Sequence, residues 1–390
     1  MIDRNALLSN RLLAGFLITI AVALAGPERA KAHPTESFPP DARSMGMGGA
    51  FTAIADGPFA FWWNPAGLAL PQPLSFSLIS RSELDPTIDG SRYGYAFGAS
   101  GNWGSLGLGF GLTTMGSGGV EDPAGFSSGR TIWFAGGVDL IHTMAPSLRG
   151  VRWGVGATLK EMRELSGRSY GVICENIPSA WNLDLGSILS YRLSRDQGGV
   201  EPEREPPPRP RVINKYRREF VPLRRTDRSA FVGLRGGLTL RNVLDRRSEC
   251  VSGDFYRPLH PSLRLGAAAE GGLPVVHPLG PLLTGVFSAE EEIVHRRDDP
   301  LQTVAPRDYT VTRVGAEIGV LGILAARVGR VHDPDREIDG WSWGMGLGCD
   351  LWDPGKALGQ LGARVDYASL PAAAPGTRAQ QWTFTFWVLH

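Results

Sequence analysis

Apolar residues alternate with polar residues or glycine in short segments that follow one another from Leu74 to the end of this chain. Within Ser105 to Gly111 three apolar residues alternate with glycines, and Trp341 to Gly348 repeats that pattern. Successive side chains of a β-strand point to opposite faces, so each segment predicts a strand with one apolar face. The predicted strands lie near residues 74–81, 92–101, 103–115, 130–142, 151–163, 178–193, 229–243, 261–270, 281–296, 308–319, 321–332, 339–351, 360–369 and 380–389.

A soluble sandwich and a membrane barrel both contain alternating strands. The sequence has 51 glycines and 11 tryptophans, and its aromatic residues concentrate at strand ends, as in the two aromatic girdles of a membrane barrel. Bacterial barrels need an even number of strands, and the count is about fourteen. The segment from Trp382 to His390 resembles the C-terminal signal of outer-membrane barrels, although a histidine replaces the usual terminal aromatic residue. We therefore predict an all-β fold, a transmembrane antiparallel β-barrel of about 14 strands over residues 74–390.

The N-terminus has the pattern of a secretory signal peptide. Arg4 and Arg11 precede the apolar run 12–25, and Ala30-Lys31-Ala32 supplies a small-x-small cleavage site. The apolar run is shorter than the roughly 20 residues that a transmembrane helix needs. We predict a signal peptide at residues 1–32 and a location in the bacterial outer membrane.

A glycine-rich stretch, residues 44–56, and an aromatic stretch ending in Asn64-Pro65 precede the first predicted strand. A dinucleotide-binding motif is excluded, because Phe51 stands where its third glycine should be and prolines replace the preceding strand. We predict that residues 33–73 form an N-terminal hatch that plugs the barrel lumen. Its residues either anchor the hatch or take part in gating. The candidate hatch residues are Gly46, Gly48, Gly49, Asp56, Trp62, Trp63, Asn64, Pro65 and Ala66.

Charged residues occur on the strand faces predicted to point into the lumen. They are Arg152, Asp184, Arg235, Arg264, Glu290, Glu292, Arg313, Glu317, Arg327, Arg364 and Asp366. Both signs are present, so pairing with one another or with the hatch is the default expectation. An unpaired arginine would instead suit the carboxylate of a bound ligand.

Strand parity assigns each connection to one side of the membrane. It places the short turns near residues 101–103 and 320–321 in the periplasm, and the longer loops near 116–129, 164–177, 244–260 and 297–307 outside. The Pro- and Arg-rich insert 195–228 falls in the periplasm and is either a tolerated insertion or a docking arm for a partner. Cys174 and Cys250 fall in outer loops, where a disulfide and two free thiols are both compatible with the sequence.

Composition and motifs exclude several functions. A net charge of +1 leaves no nucleic-acid footprint. Ser, His and Asp positions form no hydrolase pattern, and no metal-ligand motif occurs, so we predict neither enzyme activity nor a metal or cofactor.

The strings Ser44 to Asp56 and Asn64 to Leu68 resemble the N-terminal hatch of the PorV/PorQ family, which is related to FadL-type outer-membrane transporters. Later segments fit the family in the same order: 238–244, 261–266, 314–317, 326–329 and 365–368. The resemblance implies a fourteen-stranded barrel with an occluded lumen. A FadL-type function implies passive transport of small hydrophobic compounds such as fatty acids. A PorV-type function implies a scaffold or shuttle for protein secretion of type IX.

The partners expected from the sequence are outer-membrane lipid, a hydrophobic small molecule and, for the scaffold function, a periplasmic or secreted protein. Because both functions share a fold, the fold alone does not choose between them.

Overall fold

A closed antiparallel barrel forms the body of the protein. The computed structural model describes residues 39–85, 90–119, 127–145, 148, 150–169, 172–174, 180–194, 230–244, 260–273, 282–295, 308–335, 338–352, 360–371 and 377–389. The predicted signal peptide and the insert 195–228 lie outside these residues. The strands are β1 (Leu74–Asp85), β2 (Gly90–Trp103), β3 (Leu106–Gly119), β4 (Ser127–Asp139), β5 (Val151–Ser169), β6 (Val172–Cys174), β7 (Ala180–Ser194), β8 (Phe231–Arg241), β9 (Ser262–Leu273), β10 (Leu283–Val294), β11 (Tyr309–Val320), β12 (Leu324–Asp333), β13 (Ile338–Trp352), β14 (Gln360–Pro371) and β15 (Arg378–Leu389).

Strand pairing closes the barrel. Each strand pairs with its neighbour in sequence, except that β5 pairs with β7, while β1 pairs with β15. The short β6 pairs only with the end of β5 and stands outside the ring. The ring therefore contains fourteen of the fifteen described strands, which confirms the predicted antiparallel barrel and its strand number.

The strand boundaries differ from the predicted ones by a few residues. The alternation predicts that residues 140–142 continue a strand, but the strand β4 ends at Asp139 and a short helix, Leu140–Met144, follows. The carboxylate of Asp139 accepts a hydrogen bond from the backbone of His142 and caps this helix, which alternation alone does not reveal. The turn between β2 and β3 lies at Gly104, where φ is 66°, and not at residues 101–103.

The two faces of the barrel have opposite chemistry. Along β8 buried and exposed positions alternate almost without exception, with Val232, Leu234 and Leu238 exposed and Arg235 and Thr239 buried. Large apolar side chains point outward on the other strands too, among them Phe287, Ile318, Leu347 and Phe386. Large apolar side chains therefore predominate on the outer face of the strands, and the inner face carries buried charged residues.

Residues 39–73, here called the inner segment, lie within the ring. The segment contains the helices α1 (Ala42–Gly46) and α2 (Ala60–Trp63) and a 3-10 helix, η1 (Pro65–Ala69). The helix α1 contacts β12 to β15, and η1 contacts β2 to β5 and β7 on the opposite side. Residues 47–54, between these helices, meet β8, β9, β11 and β12. Because the segment touches strands on every side of a closed ring, it occupies the lumen.

Glycines of the wall make room for the inner segment. A Cβ built on any of five inward-facing glycines would lie 1.7–2.5 Å from backbone atoms of the segment. These glycines are Gly107, Gly156, Gly237, Gly315 and Gly329. The high glycine content therefore has a local cause, which is the close approach of two backbones.

Candidate functional site: the barrel interior

Asn64 fastens the inner segment to the wall. Its Nδ2 donates to the carbonyl oxygens of Thr52 at 3.0 Å, Ser187 at 3.1 Å and Leu238 at 3.2 Å. Ser187 and Leu238 are cross-strand partners on β7 and β8. The Oδ1 of Asn64 accepts from the backbone N–H of Ala66 at 3.1 Å and caps η1, with Pro65 in the first turn. One side chain thereby connects two parts of the inner segment with two strands.

We expect Asn64→Asp to lower the free energy of unfolding by about 1–3 kcal/mol. The substitution keeps the oxygen that accepts from Ala66 but replaces the donor with an oxygen facing backbone carbonyls. The measurement is a urea titration of the detergent-solubilised protein, with Asn64→Ala as the comparison. Equal stability of Asn64→Asp and the wild type would show that the Nδ2 donor bonds do not hold the segment.

A first ion-pair cluster joins α1 to β11, β12 and β14. Arg43 pairs with Asp56 of the inner segment and, at 2.9 Å, with Glu317 of the wall. Arg327 forms an ion pair with Glu317, and its Nη1 lies 2.9 Å from Oδ1 of Asp366. Arg364, on the same strand as Asp366, pairs with that carboxylate at 2.8 Å. All these side chains are largely buried, so the cluster ties the segment to three strands through charges shielded from water.

Asp41 begins the helix α1 beside this cluster. Its carboxylate accepts from the backbone N–H groups of Arg43 and Ser44. Burial, followed by the neighbouring carboxylate of Asp366, raises the pKa of Asp41 to about 7. The carboxylate that caps α1 therefore adds little negative charge to the cluster below neutral pH.

A second ion-pair cluster holds the middle of the inner segment. The Oε2 of Glu290 accepts from the backbone N–H groups of Phe51 at 3.0 Å and Thr52 at 2.8 Å. The Oε1 of Glu290 accepts from Arg313 at 2.9 Å, and the same arginine donates to Glu292 at 2.7 Å. Arg264 lies 3.1 Å from Glu292. Two backbone donors of the segment therefore end on one buried carboxylate of β10.

Aromatic side chains fill the lumen between the second cluster and β4. Trp62 contacts Trp63 and Trp133, with ring centroids 6.2 and 5.4 Å apart, and Phe61 stacks near Trp133 at 5.7 Å. The guanidinium of Arg241 lies 4.1 Å from the ring centre of Trp62. This cluster is apolar in its centre and cationic on one side.

The remaining predicted lumen charges are also paired. Arg152 lies 2.8 Å from Asp139, Asp184 lies 3.0 Å from Lys160, and Arg235 lies 2.8 Å from Glu270. The predicted default of mutual pairing thus describes each of these contacts.

The predicted hatch residues all lie in the inner segment. Six of them pack in the lumen but neither form an ion pair nor cap a helix with a side chain: Gly46, Gly48, Gly49, Trp62, Trp63 and Ala66. Gly48 and Gly49 have φ of 69° and 79°, and a Cβ on Gly48 would lie 2.8 Å from the backbone oxygen of Arg330. The turn after α1 therefore requires glycine.

Sequence reasoning missed several partners, namely Arg43, Asp139, Lys160, Arg241 and Glu270. Lys160 and Glu270 stand at alternate positions of predicted strands, so parity could have placed them inside. Arg43 precedes the glycine-rich stretch, and nothing in the local pattern indicates that its partner is Glu317. Cys250 lies outside the described residues, so a disulfide with Cys174 and two free thiols both stay open.

Metal-ligand groups and membrane-spanning helices are absent from the described part of the chain. No group of three or more His, Cys, Asp or Glu side chains there could hold a metal ion. No helix among the described residues is long and apolar enough to cross a membrane.

The fold and its interior define a class: a fourteen-stranded antiparallel barrel whose lumen is filled by its own N-terminal segment. No protein family and no curated protein matches the sequence, so the PorV/PorQ resemblance stays a prediction.

Solved barrels are similar to this chain at low identity. The CymD monoaromatic hydrocarbon channel is 11% identical, with a TM-score of 0.39, over 90% of this chain and 97% of that chain. A Pseudomonas aeruginosa FadL homologue is 12% identical, with a TM-score of 0.42, over 93% and 100%. The P. putida toluene transporter TodX is 11% identical, with a TM-score of 0.38, over 89% and 98%. Similarity at this level says nothing about the substrate.

Proposed function

We propose that the protein is an outer-membrane barrel for passive transport of small hydrophobic compounds, such as fatty acids, with the inner segment as its hatch. The observation that carries the proposal is the inverted chemistry of the wall. Large apolar side chains such as Leu78, Phe287 and Leu347 point outward, and the polar residues and ion pairs point inward. A water-soluble barrel would bury its apolar face, whereas lipid requires it outside.

Among the described residues, the inner segment is attached to the wall by non-covalent contacts, namely hydrogen bonds, ion pairs and packing. Because such contacts can break and re-form, we propose that the segment moves as a hatch. Its turn has open space beside Gly57, since a Cβ there would have no atom within 4 Å. Displacement of residues 59–63 would expose the aromatic rings of Phe61, Trp62 and Trp133 to an entering ligand. Burial of the ligand's apolar surface against these rings would then favour entry. No catalytic group is needed for this role.

A disulfide between the hatch and the wall tests the proposal. A Cβ on Gly266 would lie 3.5 Å from the Cβ of Ala53, within the range of roughly 3.5–4.5 Å that a disulfide needs. In a background without the native cysteines, Ala53→Cys with Gly266→Cys should abolish protein-dependent uptake of radiolabelled oleate when oxidised. Reduction should restore it. The assay uses bacteria that lack their own oleate channel.

The single variants Ala53→Cys and Gly266→Cys are the controls, and oxidation should leave their uptake unchanged. Uptake that persists in the oxidised double variant would reject the hatch role. A wild-type protein that gives no uptake above cells without it would reject transport itself.

The alternative is a PorV-like scaffold or shuttle for protein secretion. The observation that favours it is the tight filling of the lumen, in which wall glycines meet the backbone of the inner segment directly. A barrel closed in this way could serve as a membrane platform for a periplasmic or secreted protein. Purification of the full chain from its own membrane tests this function. A stoichiometric polypeptide that is lost when residues 195–228 are deleted would support it.

A further inference from the structure

Two arginines and a tryptophan lie in one row on the outward face of β12 to β15. The cross-strand register pairs Arg330 of β12 with Trp341 of β13, Trp341 lies at the level of Pro371 of β14, and Pro371 pairs with Arg378 of β15. Arg330, Trp341 and Arg378 are all exposed. Arg330 therefore lies directly beside Trp341 in the row, and Arg378 lies two strands away from it, beyond Pro371.

The contacts hold Arg330 beside the indole of Trp341 and Arg378 on the backbone of the same residue. The guanidinium carbon of Arg330 lies 5.9 Å from the ring centre of Trp341. Arg378 donates to the carbonyl oxygen of Trp341 at 3.0 Å, and to the hydroxyl and carbonyl of Ser369 at 2.7 and 2.9 Å. Arg378 is thus held against the wall by two neighbouring strands while it stays exposed.

One carboxylate offsets part of the positive charge. Asp339 accepts from Arg330 at 3.1 Å and lies 3.7 Å from the Nδ1 of His332. Side chains of Arg330, Asp339 and His332 are all about half exposed. Arg330 therefore shares the carboxylate of Asp339 with His332, while the contacts of Arg378 are all to uncharged oxygen atoms. The patch formed by Arg330, Trp341 and Arg378 thus carries more positive charge than Asp339 offsets.

The patch stands at the border of the apolar outer surface. Towards the opposite end of the same strands, the outward positions are Val328 on β12 and Trp343, Met345 and Leu347 on β13. On the other side of the row come His332, Asp339 and the ends of the strands. Tryptophan beside arginine at such a border is the arrangement that meets lipid head groups, with the ring at the interface and the cation on the phosphate.

We propose that Arg330, Trp341 and Arg378 form a binding site for the phosphate-bearing head group of an anionic membrane lipid. The inference rests on the proposed membrane location and adds a site outside the lumen. Charge complementarity selects a lipid phosphate as the occupant, because the guanidinium groups are exposed at the level where the apolar surface ends. By strand parity, this is the end that carries the predicted outer loops.

The test is native mass spectrometry of the detergent-solubilised full chain with added phosphatidylglycerol or phosphatidylcholine. The wild type should retain phosphatidylglycerol preferentially. Arg330→Gln and Arg378→Gln should each lower this retention about five-fold. Asp339→Asn should raise it, because it releases Arg330 from its carboxylate, and a merely structural role of the row would not predict that increase.

The matched controls are the single variants Arg130→Gln and Arg163→Gln. These arginines pair across β4 and β5 on the outward face and carry the same charge change. Each control substitution should change phosphatidylglycerol retention less than about two-fold. If the controls lower retention as much as the Arg330 and Arg378 variants do, the lipid responds to non-specific charge and not to this site. Insertion into phosphatidylcholine vesicles is measured in parallel. A chain that inserts without preferring phosphatidylglycerol overturns the lipid site alone, whereas a chain that enters no bilayer overturns the proposed membrane role.

Discussion

Glu290→Ala is expected to lower the free energy of unfolding by about 3–5 kcal/mol. The carboxylate is buried and receives the backbone N–H groups of Phe51 and Thr52 as well as the guanidinium of Arg313. Its removal leaves two backbone donors without an acceptor and weakens the compensation of a buried arginine. The measurement is a urea titration in detergent, followed by the fluorescence of the buried tryptophans.

The neighbouring Glu291 provides the control. It lies on the same strand but is exposed, so Glu291→Ala should change the free energy of unfolding by less than about 0.5 kcal/mol. Glu290→Gln should fall between the two, because an amide oxygen still accepts a hydrogen bond but carries no charge. Equal losses for Glu290→Ala and Glu291→Ala would show that the carboxylate of Glu290 does not hold the inner segment.

Gly315→Val is expected to push α1 away from the wall and to cost about 3 kcal/mol. A Cβ at this position would lie 2.2 Å from the carbonyl oxygen of Met47, so the first atom of the new side chain already overlaps the backbone of the inner segment. Displacement should open the peptide bond after Arg43 to trypsin. Limited proteolysis followed by mass spectrometry detects that cleavage.

Gly285→Val is the matched substitution on the adjacent strand. A Cβ on Gly285 would have no atom within 4 Å, so valine there should leave the inner segment in place and the site after Arg43 protected. Rapid trypsin cleavage in both variants, or in neither, would contradict a specific contact between Gly315 and the inner segment.

The contacts of the inner segment bear on how it could move. The first ion-pair cluster holds α1, the second holds residues 51–52, and Asn64 with η1 holds the far side. The turn at Gly57 lies between the second and third attachments. A partial opening of residues 51–63 would break the hydrogen bonds to Glu290 and the Arg43–Asp56 pair but leave Arg43 on Glu317. We expect the proposed hatch to open in this way, which takes Ala53 away from Gly266.

Sequence alternation predicted much of the architecture. It indicated fourteen strands and placed residues such as Arg235, Glu290 and Arg327 on the inner face, because the side-chain direction of a strand reverses at every residue. It placed the start of β5 correctly at Val151 but extended β4 past Asp139, where side-chain capping ends the strand. Local patterns are weakest at such ends, because one hydrogen bond decides them.

The sequence by itself determined the faces of the strands. Only the tertiary structure decided which charges meet. Arg43 pairs with Glu317 across 274 positions of sequence, and Phe51 and Thr52 reach Glu290 across a similar distance. These contacts depend on the register of many strands and on the course of the inner segment through the lumen. The two-residue period is a local property of one strand, whereas the positions of partners so far apart are set only when the ring closes.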